Sequence, residues 1–286
     1  MPACPHSATK VAIIGSGISG LSAAWLLRNH YDLTIYEADD RAGGHANTVV
    51  VKQDGKDIAV DTGFIVYNER NYPNLTELFK TLGVNTSASE MSFAASLDNG
   101  RLEYSGSGLN GLLGQRRNII KPGFWVMVRD ILRFYREAPL TLSDDTYNQT
   151  PLGDYLEQAG YGSAFVENHL LPMGAAIWST SARDMKRYPL RAFVRFLNSH
   201  GLLALKNRPQ WRTVTGGSVE YVQKLTREFA DKIRLNAPVK HIKRDALGVT
   251  VTDASGASDH FSHINTAAGN CAPLRSVFEG EQTVAV

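Results

Sequence analysis

The stretch KVAIIGSGISGLSAAWLLRNHYDLTIYE, from Lys10 to Glu37, decides how the chain begins to fold. Its first five residues, Lys10–Ile14, are mostly apolar and partly β-branched, which predicts a buried parallel strand. A G-x-G-x-x-G turn follows at once, and the apolar residues after it recur at helical spacing. The last six residues, Asp32–Glu37, predict a second strand that ends in an acid. The order strand, glycine turn, helix and strand is that of a nucleotide-binding βαβ unit.

Each glycine of the turn has its own physical role in such a unit. Gly15 permits the tight turn, and Gly17 lets the backbone approach a pyrophosphate that a Cβ atom would exclude. Gly20 lets the helix pack closely on the sheet. The helix start, with Ile18 and Ser19, presents unpaired N–H groups and the positive end of the helix dipole to phosphate oxygens. The pattern predicts a dinucleotide site, against the alternative of a glycine-rich turn that binds nothing.

The acid at the end of the second strand selects among dinucleotides. Glu37 can accept hydrogen bonds from the hydroxyl groups of an adenosine ribose, and its charge would repel a 2′-phosphate. NADP is therefore disfavoured. The fingerprint by itself does not separate FAD from NAD.

The residues that follow this acid do separate the two cofactors. EADDRAGGHANT, over residues 37–48, resembles the E-A-x-x-R-x-G-G-x-x-x-T continuation of flavoproteins of the amine-oxidase and phytoene-desaturase type. Arg41 offers a fork of donors to the pyrophosphate or its neighbours. The Gly43-Gly44 pair lets a loop lie flat against an extended cofactor. Many amine oxidases carry arginine in place of His45, so phosphate contact and a plain polar loop role stay open there.

This resemblance implies an α/β fold in which a Rossmann-type FAD-binding domain, of the glutathione-reductase kind, carries an inserted and largely helical substrate lobe. It implies FAD as cofactor and an oxidoreductase that removes hydride from a C–N or C–C bond of a small-molecule substrate, with the flavin supplying the chemistry. It identifies no catalytic residue. The residues that it assigns to cofactor contact are Gly15, Gly17, Ile18, Ser19, Gly20, Glu37, Ala38, Arg41, Gly43, Gly44, Asp61, Gly63 and Val239.

Three of these residues, Asp61, Gly63 and Val239, lie far from the glycine turn. The segment from Asp61 to Phe64 is similar to a D-x-G segment that approaches the flavin in the family. Asp61 can orient that loop through hydrogen bonds to backbone, or serve only as a turn or cap residue. Val239 lies on a strand that the resemblance places near the adenine, with ordinary strand packing as the alternative. Three candidate pocket residues are Tyr67, Asn68 and Trp178, and for the two aromatic residues buried packing is favoured.

A second strand, glycine turn and helix passage occurs late in the chain. Trp211–Val214 predicts a strand, Gly216-Gly217 a close turn, and Ser218 the cap of a helix that reaches Phe229. The succession of blocks from about residue 10 to about residue 261 resembles a bacterial subgroup of predicted NAD/FAD-binding proteins whose substrate is not settled. We therefore expect residues 1–70 and 209–286 to form one discontinuous FAD-binding domain. Residues 71–208, where the patterning is helical, are expected to form the substrate lobe.

One helix of that lobe carries a basic and aromatic surface. Its apolar residues are predicted to share one face, and they are Phe124, Val128, Ile131, Leu132 and Tyr135. Its basic residues are predicted to lie opposite, and with their upstream neighbours they are Arg116, Arg117, Lys121, Arg129, Arg133 and Arg136. A core-packing helix with a solvated basic face is the favoured interpretation. The other is contact with an anionic membrane or a lipid-like substrate.

Composition and charge exclude several classes of protein. Hydrophobic residues make up 43% and charged residues 20%, as in a soluble globular protein. The formal charge of +2 is too small to favour a nucleic-acid partner. Cys4 and Cys271 fit no disulfide framework or metal spacing, and no secretory signal is seen, so a cytoplasmic location is expected, with peripheral membrane contact open. The absence of a triad order and of a P-loop lysine sets hydrolases and kinases aside, and the oligomeric state stays open.

The end of the sequence departs from the family pattern. Relatives continue well beyond it, whereas here a strand position holds the polar residues 262–266 and the sequence stops at Val286. We expect that a continuation after about Phe261 is missing. That loss would leave an unpaired sheet edge, a disordered tail from about Asn265, low stability and weakly held FAD. The alternatives are a complete minimal member, a non-catalytic dinucleotide- or membrane-binding remnant, and an NAD-dependent dehydrogenase.

Overall fold

The computed structural model describes residues 9–106, 108–178, 180–205, 207–267 and 278–279. The chain divides into two compact units. Unit 1 comprises Met1–Tyr67, Pro73–Ala88 and Arg212–Val286, and unit 2 comprises Asn68–Tyr72 and Ser89–Trp211. Unit 1 contains the βαβ unit that the glycine turn predicts.

The strands follow one another along the chain as β1 (Lys10–Ile14), β2 (Asp32–Tyr36), β3 (Thr48–Gln53), β4 (Lys56–Asp61), β5 (Tyr67–Asn68), β6 (Thr86–Ser89), β7 (Ala94–Leu97), β8 (Leu102–Ser105), β9 (Trp211–Val214), β10 (Ile233–Arg234), β11 (Val239–Asp245), β12 (Gly248–Asp253), β13 (Ser258–Phe261), β14 (His263–Thr266) and β15 (Phe278–Glu279). The α-helices are α1 (Ile18–Leu27), α2 (Pro73–Thr81), α3 (Gly108–Leu112), α4 (Pro122–Glu137), α5 (Leu152–Gln158), α6 (Ser163–Phe165), α7 (Leu171–Trp178), α8 (Ala182–Lys186), α9 (Leu190–Ser199) and α10 (Val219–Thr226). A single π-helical turn, Val166–Leu170, joins α6 to α7, and short 3-10 helices cover Arg116–Ile120, Ala138–Ser143, Asp145–Tyr147 and Ala230–Lys232.

A parallel sheet in the order β10-β2-β1-β14 is the centre of unit 1. Val11–Ile14 of β1 are buried, because β1 has a hydrogen-bonded neighbour on each side and α1 packs on the sheet. The register pairs Lys10 with Asp32 and Val11 with His263. The predicted α/β class and the opening strand, turn, helix and strand are therefore confirmed.

A disordered tail was expected from about Asn265, but the structure shows that residues 263–266 form a strand. His263–Thr266 form β14, which pairs in parallel with β1, and the backbone N–H of Ala267 donates to Ile14 O at 2.9 Å. The strand forms although its side chains are largely exposed, because pairing with β1 uses main-chain groups that every residue here carries. β14 thus covers one edge of β1 and is itself the outermost strand of the sheet order β10-β2-β1-β14. The rest of the predicted tail, residues 268–277 and 280–286, lies outside the described part.

A second sheet of unit 1 has the order β13-β12-β11-β15. The β11–β12 and β12–β13 pairs are antiparallel, with short connections at residues 246–247 and 254–257. Its buried residues pack with residues of β1 and β2 in one apolar cluster, which consists of Ala12, Ile14, Tyr36, Ala237, Ile242, Val249, Val251 and Phe261. The cluster fixes the second sheet against the βαβ unit.

Unit 2 is built around a helical core. Its largest fully buried side chains include Met127 and Phe134 of α4, Phe165 of α6 and Phe193 of α9. A hairpin of β7 and β8 turns at residues 98–101 and adds Ala95, Leu102 and Tyr104 to the same core. Within the described ranges, no helix is long and apolar enough to cross a membrane.

The unit boundaries differ from the predicted domain ranges at residues 73–88. These residues were expected in the substrate lobe, yet they group with unit 1. The reason is aromatic packing, because Phe79 of α2 lies edge-on to Tyr67 at 5.3 Å and contacts Tyr221 of α10 at 5.2 Å. Residues 68–70 and 209–211, expected in the FAD-binding domain, group with unit 2.

Candidate cofactor site

The glycine turn after β1 has the geometry that its sequence predicts. Gly15 has a φ of +95°, which favours glycine, and its N–H donates to Tyr36 O at 2.8 Å. A Cβ atom on Gly20 would fall far inside van der Waals distance of the Gly15 carbonyl oxygen. The start of α1 can therefore lie against the turn only because both positions are glycine.

Gly17 behaves differently from its two neighbouring glycines. It precedes α1 with extended backbone, and no side chain caps this helix start. A Cβ atom added to Gly17 would meet no other atom of the described protein within 4 Å. The fold does not itself require glycine here, so the small residue keeps open the space in front of the helix N-terminus. Ser19 is exposed at this helix start and Ile18 is 37% exposed, which leaves their surroundings open to a ligand.

Glu37 is buried at the end of β2 and is held on both carboxylate oxygens. Oε2 accepts from the backbone N–H of Ser16 at 2.9 Å and from the Ser16 hydroxyl group, and Oε1 accepts from the N–H of Asp39 at 3.0 Å. Burial alone raises the pKa of Glu37, but these hydrogen bonds outweigh it and hold the pKa below its ordinary value. The carboxylate is therefore ionised near neutral pH and ties β2 to the glycine turn. Oε1 keeps a second lone pair for a ligand hydroxyl, whereas Oε2 already accepts two hydrogen bonds.

We expect Glu37→Gln to destabilise the protein at neutral pH by about 1.5–3 kcal/mol, because an amide replaces an ionised acceptor. A depressed pKa contributes stability that is complete above the ordinary value of about 4.3 and is lost as the pH falls through the lower folded-state pKa. The wild type should therefore lose more stability on acidification than the variant, as measured by urea unfolding across that range. Glu77→Gln on the exposed surface of α2 is the control. Equal acid sensitivity of wild type and Glu37→Gln would contradict this account.

The loop at residues 41–46 lies directly on the glycine turn. The N–H of Gly43 donates to Ser16 O at 2.9 Å. Gly44 has a φ of +57°, and a Cβ atom there would lie 3.0 Å from the Cα atom of Gly17. The glycine turn at residues 15–20 and the glycine pair at residues 43–44 thus meet backbone to backbone. A ligand bound here would have main chain on both sides.

Arg41 braces this loop. Its Nη1 donates to Ala46 O at 3.1 Å and its Nη2 to Gly44 O at 3.0 Å. Both terminal nitrogens of Arg41 thus donate to carbonyl oxygens of the loop. The guanidinium keeps further N–H donors, so phosphate contact by Arg41 stays a prediction.

Asp61 links two parts of unit 1 that are far apart in sequence. Its Oδ1 accepts from the N–H of Ser218 at 2.9 Å, from the Ser218 hydroxyl group at 2.7 Å and from Thr48 Oγ1 at 2.6 Å. The N–H of Val219 in turn donates to Thr48 Oγ1 at 3.0 Å. Asp61 thus accepts the N–H of Ser218 just before α10, reaches the N–H of Val219 through Thr48, and places a carboxylate at the positive end of a helix dipole.

This arrangement corrects the predicted role of Ser218. Its own side chain does not cap the helix, and α10 ends at Thr226, short of the predicted Phe229. Ser218 is fully buried, and its hydroxyl donates to Asp61 instead. Sequence reasoning missed Thr48 and Ser218 as partners of Asp61. Two features of the sequence could have drawn attention to them: Thr48 ends the family-like segment 37–48, and Ser218 directly follows two glycines.

The D-x-G loop is close to the 41–46 loop through backbone. A Cβ atom on Gly63 would collide with the carbonyl oxygen of His45, and that oxygen accepts from the N–H of Phe64 at 2.7 Å. The structure thus gives His45 a backbone role. Gly63 is required by this close approach, whatever it contacts in a ligand.

The predicted adenine side is brought to the end of β2. The N–H of Ala237 donates to Glu37 O at 2.7 Å, and the N–H of Asn236 donates to Asp39 O at 2.9 Å. Val239 follows two residues later, half-buried against the cluster around Ile242. Ala38 lies between the two acceptors, so the structure assembles these positions in one place.

The three candidate pocket residues have packing or hydrogen-bonding roles in the structure. Tyr67 is buried and lies edge-on to Phe79. Trp178 stacks on Phe193 at 5.4 Å and contacts Phe196 at 4.8 Å, as favoured for a packed aromatic. Asn68 is fully buried, and its Oδ1 accepts from the N–H of Asn71 at 2.9 Å. Its Nδ2 has no hydrogen-bond partner among the described residues.

The assembled site fits a dinucleotide. It has an open helix N-terminus, two glycine segments in contact, and an ionised carboxylate at the end of β2. The helix N-terminus suits phosphate groups, and the carboxylate suits ribose hydroxyl groups. These features lie within unit 1 alone.

A family comparison agrees with this reading of the site. The sequence profile of the flavin-containing amine oxidoreductases matches residues 18–272 of the chain. That match covers most of the chain and includes the helix start, Glu37 and the loop after it. The resemblance drawn from residues 37–48 is thereby confirmed.

Individual relatives are distant. A protein of Mycobacterium tuberculosis named as a flavin-containing monoamine oxidase, AofH, is 25% identical over 270 residues, which are 89% of this chain and 56% of that protein. An L-amino acid dehydrogenase of Synechocystis is 23% identical over 269 residues, 88% of this chain and 54% of the other. Among solved structures, cyclohexylamine oxidase from Brevibacterium oxydans is similar with a TM-score of 0.67 at 20% identity, covering 95% of this chain and 60% of that one. This last likeness shows the fold alone. The chain spans about half the length of the curated relatives that it matches.

Proposed function

The chain belongs to the family of flavin-containing amine oxidoreductases, and on this basis we propose that unit 1 binds FAD and that the protein is an FAD-dependent oxidoreductase. The observation that carries the proposal is the contact between Gly44 and Gly17 in front of an uncapped helix N-terminus. An NAD site does not need this second glycine segment, whereas an extended flavin dinucleotide is held along both.

Each part of the site then has a defined task toward FAD. The N–H groups at the start of α1, from Ile18 to Gly20, bind the pyrophosphate. Glu37 accepts the hydroxyl groups of the adenosine ribose, and Val239 lies toward the adenine. Asp61 orients the loop that carries Gly63 toward the flavin end. When bound, FAD supplies the hydride acceptor.

We propose a C–N or C–C bond of an apolar or lipid-like small molecule as the bond that is oxidised. Support for C–N chemistry comes from the relatives, which are named for amines and an amino acid. Support for an apolar or lipid-like substrate comes from α4 of unit 2, which exposes Trp125 and Leu132 beside basic side chains. Exposed aromatic and aliphatic side chains next to basic ones favour lipid-like partners over small polar solutes.

Anaerobic reduction of the FAD-loaded protein tests this function. We expect visible flavin absorption that dithionite bleaches, and bleaching by a long-chain alkylamine that is faster than bleaching by putrescine at equal concentration. Free FAD with each amine is the control. A protein that takes up FAD and responds to dithionite but to no amine or apolar alkene would be a dinucleotide-binding protein without this activity. Uptake of NAD in place of FAD would identify a dehydrogenase and contradict the proposal.

A further inference from the structure

Residues 116–132 of unit 2, which we name the basic segment, expose several large apolar side chains in succession. Ile120 is 83% exposed, Trp125 45% and Ile119 44%, and Leu132 is also exposed. Single exposed apolar residues are normal on a protein surface, but a contiguous group marks an interaction site. The segment consists of the 3-10 helix Arg116–Ile120 and the first three turns of α4.

These side chains do not belong to the core of unit 2. The opposite face of α4 supplies the buried residues Phe124, Met127 and Phe134. Leu132, predicted on the packed face, is exposed instead, because the buried positions of α4 recur at 124, 127, 131 and 134. The outward apolar face is therefore additional to the face that the fold needs.

The exposed aromatic residue is held in place. Trp125 Nε1 donates to Ile119 O at 2.8 Å, and its ring lies edge-on to Phe124 at 5.7 Å. The 3-10 helix and α4 thus present Trp125 and Ile120 together on a fixed backbone. Docking of such a surface costs less conformational entropy than ordering a loose segment.

The basic segment carries an excess of positive charge, since its one acidic residue, Asp130, is buried and pairs with Arg129 at 3.0 Å. No acidic residue occurs between Glu103 and Asp130, whereas Arg116, Arg117, Lys121 and Arg129 lie in that interval. Arg117 donates to Gly100 O at 2.6 Å, and Lys121 Nζ to Asn118 Oδ1 at 3.1 Å, and both acceptors are neutral. Among the described residues, no carboxylate forms an ion pair with Arg116, Arg117 or Lys121.

We propose that the basic segment docks on the surface of an anionic lipid bilayer. Trp125 and Ile120 would enter the boundary between head groups and acyl chains, which is where amphipathic aromatic and aliphatic side chains bind. Arg116, Arg117 and Lys121 then contact lipid phosphates without an internal carboxylate to compete for them. A nucleic acid would match the charge but not the exposed apolar residues. This docking does not depend on the FAD site.

Sedimentation of the purified 286-residue protein with vesicles tests the proposal. We expect binding to vesicles of phosphatidylcholine with about one third phosphatidylglycerol at low salt, and weak binding to phosphatidylcholine alone. Raising the salt concentration to about 0.5 M should release the protein, because screening at that concentration removes the attraction of exposed charges. Trp125 fluorescence should be quenched by brominated acyl chains in the anionic vesicles.

Two pairs of substitutions separate the charge from the apolar contribution. Each cation contributes roughly five-fold to partitioning, so Arg116→Gln with Arg117→Gln should lower it about 25-fold. Ile120→Ser with Trp125→Ser should lower binding by roughly ten-fold or more and remove most of the bromine quenching. The matched controls are Lys243→Gln and Leu247→Ser, which remove an exposed cation and an 85% exposed leucine from unit 1. Both controls should bind as the wild type does.

Three outcomes would overturn the proposal. The first is equal binding of the wild type and both substituted pairs, with circular dichroism showing all of them folded. The second is no binding to anionic vesicles, or binding that salt does not change. The third is concentration-dependent self-association that Ile120→Ser with Trp125→Ser abolishes in the absence of vesicle binding, which would assign the surface to a second copy of the chain.

Discussion

Gly20→Val is expected to unfold unit 1 or to destabilise it by about 3 kcal/mol or more. A side chain at this position would collide with the carbonyl oxygen of Gly15, which is backbone and cannot rotate away. Relief requires the start of α1 to move off β1, and α1 packs on both β1 and β2. The effect should be visible as a lower midpoint in urea unfolding of the FAD-free protein.

The measurement has an internal control three residues earlier. Gly17→Val introduces the same side chain into a position where a Cβ atom meets no atom within 4 Å. Its cost should be about 1 kcal/mol, since a β-branched residue is a poor helix N-cap. Equal destabilisation by the two substitutions would show that the close approach of Gly20 to Gly15 is not what holds the turn.

Gly17→Val should abolish FAD binding, with a loss of affinity of about 100-fold or more, although it leaves the fold in place. The substituted side chain occupies the space in front of α1 that a pyrophosphate would use, and it blocks the N–H groups at the helix start. Thermal unfolding with and without FAD shows this directly. FAD should raise the midpoint of the wild type and leave that of Gly17→Val unchanged, because only ligand that binds the folded state stabilises it. A similar shift in both proteins would place the pyrophosphate elsewhere.

The local part of this fold can be predicted from sequence because its signals are local. Lys10–Ile14 is a strand in the predicted bounds, and the second strand ends one residue before Glu37. A buried parallel strand, a glycine turn and a largely apolar helix each impose a distinct residue pattern within a few positions. The same holds for the 41–46 loop, where a Cβ atom on Gly44 would meet the turn and one on Gly43 would meet the Ala46 carbonyl oxygen of the loop itself.

Other features could not be predicted because they depend on distant partners. Asp61 and Ser218 are 157 residues apart, and no pattern around either residue specifies the hydrogen bonds between them. Arg41 shows a similar limit, since its type suits a phosphate but its geometry serves two carbonyl oxygens. In β14 the polar side chains argued against a strand, yet main-chain pairing with β1 decides its structure.

The basic segment shows how tertiary packing selects one face of a helix. The apolar residues of α4 are compatible with more than one buried face, and the sequence pattern predicted that Leu132 lies on the buried face. The core accepts Phe124, Met127, Ile131 and Phe134 instead, which turns Leu132 outward. A rotation of this size is decided by neighbouring helices and lies outside the information in one helical repeat.

Calorimetric titration of FAD into the purified protein tests the central claim most directly, namely that the two glycine segments of unit 1 hold this cofactor. The wild type and Gly123→Val should bind FAD with the same Kd, because Gly123 is likewise a glycine at a helix start with no atom within 4 Å of an added Cβ, but it lies in unit 2. Gly17→Val should show no measurable binding under the same conditions. Equal Kd values for all three proteins, or no binding of FAD by the wild type, would contradict the account.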